Sequence, residues 1–366
     1  MDEQTAIKRL AAVRRTMQEQ GIDAVIVMQP ENVTWLTGFM GHDSWAVIIG
    51  RRLWLVTDSR YTEQARGECL GCRILERRGP MVEAVARLIG RNRSVAVVGV
   101  EDNCPVATFR RLKRSIDAKL KAVSRILETA RRTKDAAEVR AIAAAGAVAW
   151  QALDKGLRQL RAGMAEQHLA GILDFEMRKL GGQPSFDSII AFGANASRPH
   201  HQPGKRRLRK RDTILIDFGA RVNGYCSDAT RCFAFGSPSR FYERVYYGVL
   251  AAQAAAIAAI RAGVKLRDVD AAARAVLKDR GLPDYGHGTG HGLGLQVHEA
   301  PYLAKTARDT LQAGDVVTVE PGVYMPGRLG VRIEDDVLVT ESGCRILTRD
   351  RRFGFSSGKL PVLPSR

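Results

Sequence analysis

The sequence predicts an α/β domain with a mixed sheet over residues 1–132, followed by a pseudo-symmetric α+β domain over residues 133–366. Three observations carry this. Short β-rich runs alternate with helical periodicity in the first third of the chain. The pattern changes at the polar, basic stretch 126–134. Beyond that point a helix-rich pattern recurs at an offset of 100 residues.

Residues 6–20 have the apolar spacing of a helix. Residues 23–28, 45–49, 53–57 and 95–100 are β-rich runs bounded by Gly, Pro, Asp or Asn. Residues 82–89 and 106–120 predict two further helices. Alternation of this kind builds layers of helix on sheet. The Ala-rich stretch 136–160 predicts one long helix. Arg161-Ala162-Gly163 then opens a helical segment of 21 residues that closes at Gly181, and Arg261-Ala262-Gly263 opens another of equal length that closes at Gly281. Each follows a long helix and leads into a segment with Gly and His and then into strands. Self-similarity at this scale marks a structural unit used twice.

Composition narrows the function classes. The chain has 366 residues, 45% of them hydrophobic, which is ample for a large core. No apolar run reaches the roughly 18 residues a membrane span needs. The start, Met1-Asp2-Glu3-Gln4, lacks the basic-then-apolar order of a secretory signal, so a soluble, cytoplasmic protein is expected. The six cysteines are widely spaced, and Cys69 and Cys72 form a lone CxxC with no second pair nearby, so reduced thiols are expected. The net charge of +18 is spread over both parts of the chain. The densest basic run, residues 205–211, has no interleaved aromatics on which bases could stack, and it reads as a solvated hairpin or loop. Nucleic-acid binding is not expected.

Five side chains point to chemistry. Asp217 lies in the strand-like run TILIDF, and Asp228 in a second run, residues 226–233. The turn-rich residues 219–224 between them predict a hairpin, which brings both carboxylates to one face. The segment 286–294, GHGTGHGLG, does not fit a dinucleotide loop. Its glycines also argue against a helix carrying paired metal-binding histidines. Five of the seven histidines fall in two places, His200 and His201, then His287, His291 and His298. Glu320 sits in VVTVEP and Glu334 in VRIED, both strand-like. A carboxylate in an apolar strand is costly unless something positive meets it. Arginine partners or ordinary hairpin polarity account for any one of these residues alone. A two-metal site accounts for Asp217, Asp228, His291, Glu320 and Glu334 together. Such a hard donor set favours two divalent ions, Mn²⁺ first, with Co²⁺, Fe²⁺ or Zn²⁺ as alternatives. Metals of this kind activate a shared water and polarise a carbonyl, which is hydrolytic chemistry.

These motifs, in the contexts LIDFGA, GYCSDATR, HGTGHGLGLQVHEAP, VEPGVY and VRIEDD, resemble the metallopeptidases of the creatinase/methionine-aminopeptidase ("pita-bread") fold over residues 132–348. Residues 22–39 and the segment TDSRY at 57–61 resemble the N-terminal domain of aminopeptidase P and prolidase. The resemblance implies a creatinase-like N-terminal domain, a pita-bread catalytic domain, and cleavage of Xaa-Pro bonds in peptides with proline at the second position. It leans toward aminopeptidase P, with Xaa-Pro dipeptidase (prolidase) as the alternative, and it implies a homodimer. It further implies that Asp217 chelates one metal, that His291 and Glu320 chelate the other, and that Asp228 and Glu334 bridge. Glu320 would also serve as general base toward a bridging water. His200, His287 and His298 would contact substrate, and Arg332 would stand beside the metal carboxylates; the sequence does not fully separate His200 from His201. Two features depart from the family pattern: Arg211-Asp212 stands where Gly-Asp is usual, and the tail from residue 353 follows no recognisable pattern.

Overall fold

The structure is a computed structural model that describes residues 2–348 and 359–365. The chain divides into two compact units, Met1–Arg131 and Arg132–Arg366.

The first unit is built on strands β1 (Ala24–Val27), β2 (Trp45–Ile49), β3 (Arg52–Thr57), β4 (Arg73–Glu76), β5 (Val97–Glu101) and β6 (Lys119–Val123). They form one sheet in the order β4-β3-β2-β1-β5-β6. Pairing is antiparallel for β1–β2 and β2–β3, and parallel for β1–β5, β3–β4 and β5–β6, so the sheet is mixed as the sequence predicts. Val25, Ile26 and Val27 are fully buried, as expected of a strand covered on both faces. Helices α1 (Glu3–Glu19), α2 (Pro30–Thr37), α3 (Thr62–Glu68), α4 (Met81–Gly90), α5 (Val106–Ser115) and α6 (Ile126–Arg132) complete it. Two expectations need correction. The helix expected over 106–120 ends at Ser115, and Lys119–Leu120 belong to β6, because the sheet pairs them with Val97 and Val98. The stretch 126–134 is not simply a connector, since Ile126 and Leu127 are buried on the turns of α6.

The second unit opens with α7 (Ala136–Gln159), which Asp135 caps by accepting from the backbone of Ala137 and Glu138. The Glu138 carboxylate returns to the Asp135 N–H, so two otherwise unpaired donors are satisfied reciprocally. Val139, Ile142, Ala149, Trp150 and Leu153 are buried along this helix, at the spacing of one helical face. Helix α8 (Glu166–Lys179) follows, and then come strands β7 (Gln183–Pro184), β8 (Ile189–Phe192), β9 (Thr213–Phe218), β10 (Ala220–Val222), β11 (Tyr225–Cys226) and β12 (Ala229–Phe235). The second half repeats the plan with α9 (Arg240–Ala259), α10 (Leu266–Asp279) and strands β13 (Gly290–Gly292), β14 (Glu299–Leu303), β15 (Val316–Val319), β16 (Gly322–Met325), β17 (Leu329–Arg332), β18 (Asp335–Val339) and β19 (Cys344–Ile346). A last short strand, β20 (Val362–Leu363), pairs with β12 to extend the first half's sheet to β20-β12-β9-β8. The second half's sheet runs β14-β13-β15-β18-β19.

The internal repeat is visible at the level of single hydrogen bonds. Gly163 and Gly263 both take positive φ, 84° and 83°, a conformation that favours glycine. Gly163 N–H donates to Leu208 O and Gly263 N–H donates to Leu311 O, each at 2.8 Å. Helices α8 and α10 thus start with the same tie to a later loop. The basic run does form a loop, but it is not wholly solvated. Arg206 donates to Phe192 O at 2.7 Å and to Asp212 at 2.8 Å, Arg207 donates to Gly163 O at 2.8 Å, and Leu208 is buried. All six cysteines are free. No helix among the described residues is long and apolar enough to cross a membrane. Of the unrecognised tail, residues 353–358 and 366 lie outside the described residues, and Leu360 is buried.

Candidate metal centre

A cavity of about 1120 Å³ in the second unit is lined by Asp217, Asp228, His291, Glu320 and Glu334, together with His200, His287, His298 and Arg332. Every site residue singled out in the sequence therefore reaches one cleft. The strand assignments need refinement, however. Asp217 does lie inside β9, opposite Thr230 of β12 and Ile189 of β8. Asp228 lies in the two-residue gap between β11 and β12, and the expected turn at 219–224 is shortened by β10 to Asn223-Gly224. Glu320 follows the end of β15, and Glu334 lies between β17 and β18. A break in a strand frees a side chain from in-and-out alternation, so it can turn into the cleft. The backbone at each break is held from elsewhere. Asp228 N–H donates to Asp336 Oδ2 at 3.1 Å, Glu320 N–H to Thr289 O at 2.8 Å, and Glu334 N–H to Thr230 O at 3.1 Å.

The glycines of the GHGTGHGLG segment have a steric reason. A Cβ on Gly290 would stand 1.9 Å from Thr318 O, and one on Gly292 would stand 2.3 Å from Ala300 O. Strand β13 is thus squeezed between β14 and β15, which sets the backbone of His291. Replacing Gly290 by alanine is expected to lower stability by more than ~2 kcal/mol through overpacking and to reduce metal retention. Urea unfolding and metal analysis of the purified variant check both.

His291 donates from Nδ1 to the Gly292 carbonyl at 3.1 Å. That bond fixes the tautomer and leaves the Nε2 lone pair facing Glu320 Oε1 at 3.4 Å and Asp228 Oδ2 at 3.8 Å. Asp228, His291 and Glu334 each offer a donor atom, and these atoms lie within 4.8 Å of one another. Asp217 Oδ1 and Asp228 Oδ1 are buried with no hydrogen-bond partner among the described residues. Unpartnered buried carboxylate oxygens are expensive, and a divalent cation is the partner that fits them. The electrostatics agree. Burial, then repulsion from Glu334, pushes the Asp228 carboxyl well above the usual range. Burial, then Glu320 and Asp217, does the same to Glu334. Glu320 is raised as well, mainly by burial. Burial lowers the three histidines His287, His291 and His298, which favours neutral imidazoles.

Around these donors stands a shell that the sequence reading largely missed. Thr230 Oγ1 donates to Glu334 Oε2 at 2.6 Å and accepts from Arg332 Nε at 3.0 Å. Arg332 also holds Asp217 Oδ2 at 2.7 Å and the Tyr324 hydroxyl at 2.9 Å. Tyr324 in turn donates to His287 Nε2 at 3.1 Å, because His287 Nδ1 already donates to Gly288 O at 2.7 Å. The cation beside the metal carboxylates is therefore connected to a pocket histidine through one hydroxyl. On α10, buried Asp270 accepts from Thr289 Oγ1 at 2.7 Å and from Arg274 Nε at 2.8 Å, and Arg274 reaches His287 O at 2.6 Å. Thr230 and Thr289 carry no signal in a single sequence that separates them from ordinary threonines. His298 is exposed, with its ring centroid 4.3 Å from that of His291. His200 is exposed on the cavity, whereas His201 is buried against Glu166 at 2.9 Å. Both histidines line the cavity, and they differ in their exposure on it.

Four carboxylates and one neutral imidazole at the meeting of two repeated halves define a metal-dependent hydrolase centre. The comparisons place it more narrowly. Residues 140–341 match metallopeptidase family M24 and residues 9–133 match the creatinase/prolidase N-terminal domain. The chain belongs to metallopeptidase family M24. Among curated relatives, an uncharacterized peptidase of Bacillus subtilis, YqhT, is 37% identical over 93% of this chain and 97% of its own length. Among solved structures, an Xaa-Pro dipeptidase from Bacillus anthracis matches with a TM-score of 0.93 and 34% identity, covering 98% of this chain and all of that one (100%). An X-Pro aminopeptidase from Thermotoga maritima has a TM-score of 0.88 and 33% identity over 95% of this chain and 99% of that one. The prolidase from Pyrococcus furiosus has a TM-score of 0.86 and 29% identity over 92% and 99% respectively. The pita-bread architecture, the creatinase-like first domain and the metallopeptidase class expected from the sequence therefore hold.

Proposed function

We propose that this chain is an Xaa-Pro dipeptidase of the prolidase type, acting with two divalent metal ions, Mn²⁺ first among them. The observation that carries the hydrolytic reading is the convergence of Asp217, Asp228, His291, Glu320 and Glu334 on one cavity, with buried oxygens of Asp217 and Asp228 lacking partners among the described residues. The sequence resemblance leaned toward aminopeptidase P. The likeness to structures of dipeptidases and prolidases favours the alternative.

Asp217 would hold one ion and His291 with Glu320 the other, with Asp228 and Glu334 shared. When bound, the ions supply a reactive water near neutral pH and polarise the scissile carbonyl. The chain's own groups do the rest. Glu320, which faces His291 Nε2 at 3.4 Å, takes the proton of the attacking water. His200, His287 and His298 line the cavity and contact the substrate there, His200 and His298 being exposed on it. The His287 ring is oriented by its bond to Gly288 O and by the Tyr324 hydroxyl, which is itself held by Arg332. Arg332 keeps Asp217 oriented through its 2.7 Å contact.

The cavity, about 1120 Å³, exceeds the roughly 300–1,000 Å³ of ordinary small-ligand sites. A homodimer belongs to the same reading. A cytoplasmic location, and no role in nucleic-acid binding, complete the reading. Arg206 and Arg207 support the latter, since both are spent on intramolecular contacts.

The test is a comparison of Xaa-Pro dipeptides with Xaa-Pro tripeptides, using the Mn²⁺-loaded protein. A dipeptidase is expected to favour the dipeptide by roughly a hundredfold or more in kcat/KM, as a site built to pair both substrate ends discriminates against chains that leave one buried group unpaired. Equal or faster release of the first residue from the tripeptide establishes the aminopeptidase P type instead.

A further inference from the structure

Glu166, the first residue of α8, is fully buried, yet no step of the reaction above uses it. Each of its oxygens accepts two hydrogen bonds. Oε1 accepts from Phe192 N–H and from the Asn195 side-chain amide, both at 2.8 Å. Oε2 accepts from His201 Nε2–H at 2.9 Å and from Gly204 N–H at 3.1 Å. The four donors come from the end of β8, the 193–197 turn and the segment just after His200. The main chain reinforces the grip. Glu166 N–H donates to Arg206 O and Gln167 N–H to Gly204 O, each at 3.1 Å. A single buried carboxylate thus gathers the loop from residue 192 to residue 206. His201, held against Glu166, is buried, and its chain neighbour His200 is exposed on the cavity that both residues line.

We propose that Glu166 is a positioning residue for His200, acting through His201. This rests on the peptidase reading, in which His200 holds the substrate. The arrangement has a counterpart in the other repeat. There Asp270, on the pseudo-equivalent helix α10, is also fully buried and supports the His287 loop through Thr289 and Arg274. Each half sets its pocket histidine with a carboxylate borne on a helix. A carboxylate with four donors suits this task, since every bond is charge-assisted and none of its lone pairs is left for water.

The test is a double-mutant cycle on the Mn²⁺-loaded full chain with an Xaa-Pro dipeptide. E166Q and H200A are each expected to lower kcat/KM by roughly 10–100-fold, as losing a group that orients an active-site ligand does. If Glu166 acts through His200, the double variant falls no further than H200A alone. Multiplied losses in the double variant overturn the proposal, as does wild-type activity in H200A. A second pair covers the case in which E166Q does not fold. H201Q keeps a side-chain N–H donor for Glu166 and is expected to retain activity, while H201L is expected to behave like E166Q. Equal losses in H201Q and H201L overturn the proposal. Should the wild type cleave no Xaa-Pro peptide at all, the functional reading fails, and the clamp is judged from the ring-proton NMR signal of His200. That signal is expected to change in E166Q, and an unchanged signal overturns the proposal.

Discussion

Replacing Asp228 by alanine is expected to abolish peptide hydrolysis, lowering kcat/KM by at least about a thousandfold, since several kcal/mol of metal-supplied charge stabilisation is withdrawn. Asp228 is one of the three residues whose donor atoms lie within 4.8 Å of one another, and its Oδ1 has no partner among the described residues. No neighbour replaces it, because the surrounding carboxylates of Asp217, Glu320 and Glu334 have ligand positions of their own in the proposed centre. The loss is specific to chemistry. The fold is expected to improve in the absence of metal, because truncation removes a buried group that its neighbours repel. The gain is on the order of 1–3 kcal/mol, as when buried charges are removed without leaving a partner stranded. Kinetics, metal content and thermal melting with a chelator present measure the three effects on one sample. Turnover at the wild-type level by this variant would sink the proposed centre.

The second large effect is a dependence of metal-free stability on pH. Asp228, Glu334 and Glu320 bind protons more tightly in the folded chain than their ordinary values of 3.8, 4.5 and 4.5. A group raised in this way contributes stability that is complete below its unfolded value. That stability is lost as pH rises through the folded value. The metal-free protein is therefore expected to lose stability from this source as pH climbs out of the ordinary carboxylate range. His287, His291 and His298 act in the opposite sense. Their folded values lie below 6.5, so their contribution is present above 6.5 and lost as pH falls through the folded values. The difference in melting temperature between wild type and Asp228→Asn, followed against pH with a chelator, isolates the carboxyl contribution. The advantage of the variant is expected to widen as pH rises. Added Mn²⁺ should reverse the trend for the wild type alone, since binding requires the deprotonated ligands and releases their protons. A difference that stays flat with pH would show that these carboxyls titrate normally.

Much of this was legible in the sequence, and for identifiable reasons. The strands TILIDF and WAVII read correctly because their apolar runs are buried where they stand. The repeat was legible because Gly163 and Gly263 mark the same turn, and a positive φ leaves a glycine in the sequence. Asp217, Asp228, Glu320 and Glu334 stood out as candidates because a carboxylate among apolar residues is conspicuous, and His291 because it lies in a cluster of histidines and glycines. Other features escaped for physical reasons. Strand β6, with only Val123 buried, looks like the continuation of a basic helix; its pairing with β5 is what makes it a strand. The breaks that carry Asp228, Glu320 and Glu334 are imposed by bonds from distant residues, Asp336, Thr289 and Thr230. Glu166 stands at a helix start, where an acidic residue is expected in any case for its effect on the helix dipole, so its grip on a loop 26–38 residues away has no local signature.

The placement of ligands at strand breaks has a mechanical consequence. Asp217 and Asp228 come from the first repeat, and His291, Glu320 and Glu334 from the second. The backbone ties at two of the breaks cross the same seam, Asp228 to Asp336 and Glu334 to Thr230. Ions held by the proposed ligand set would span the joint between the halves and would have to leave before the halves could separate. In the proposed centre, metal would thus act as a latch on unfolding, and the lifetime of the loaded protein is expected to follow the rate at which metal escapes.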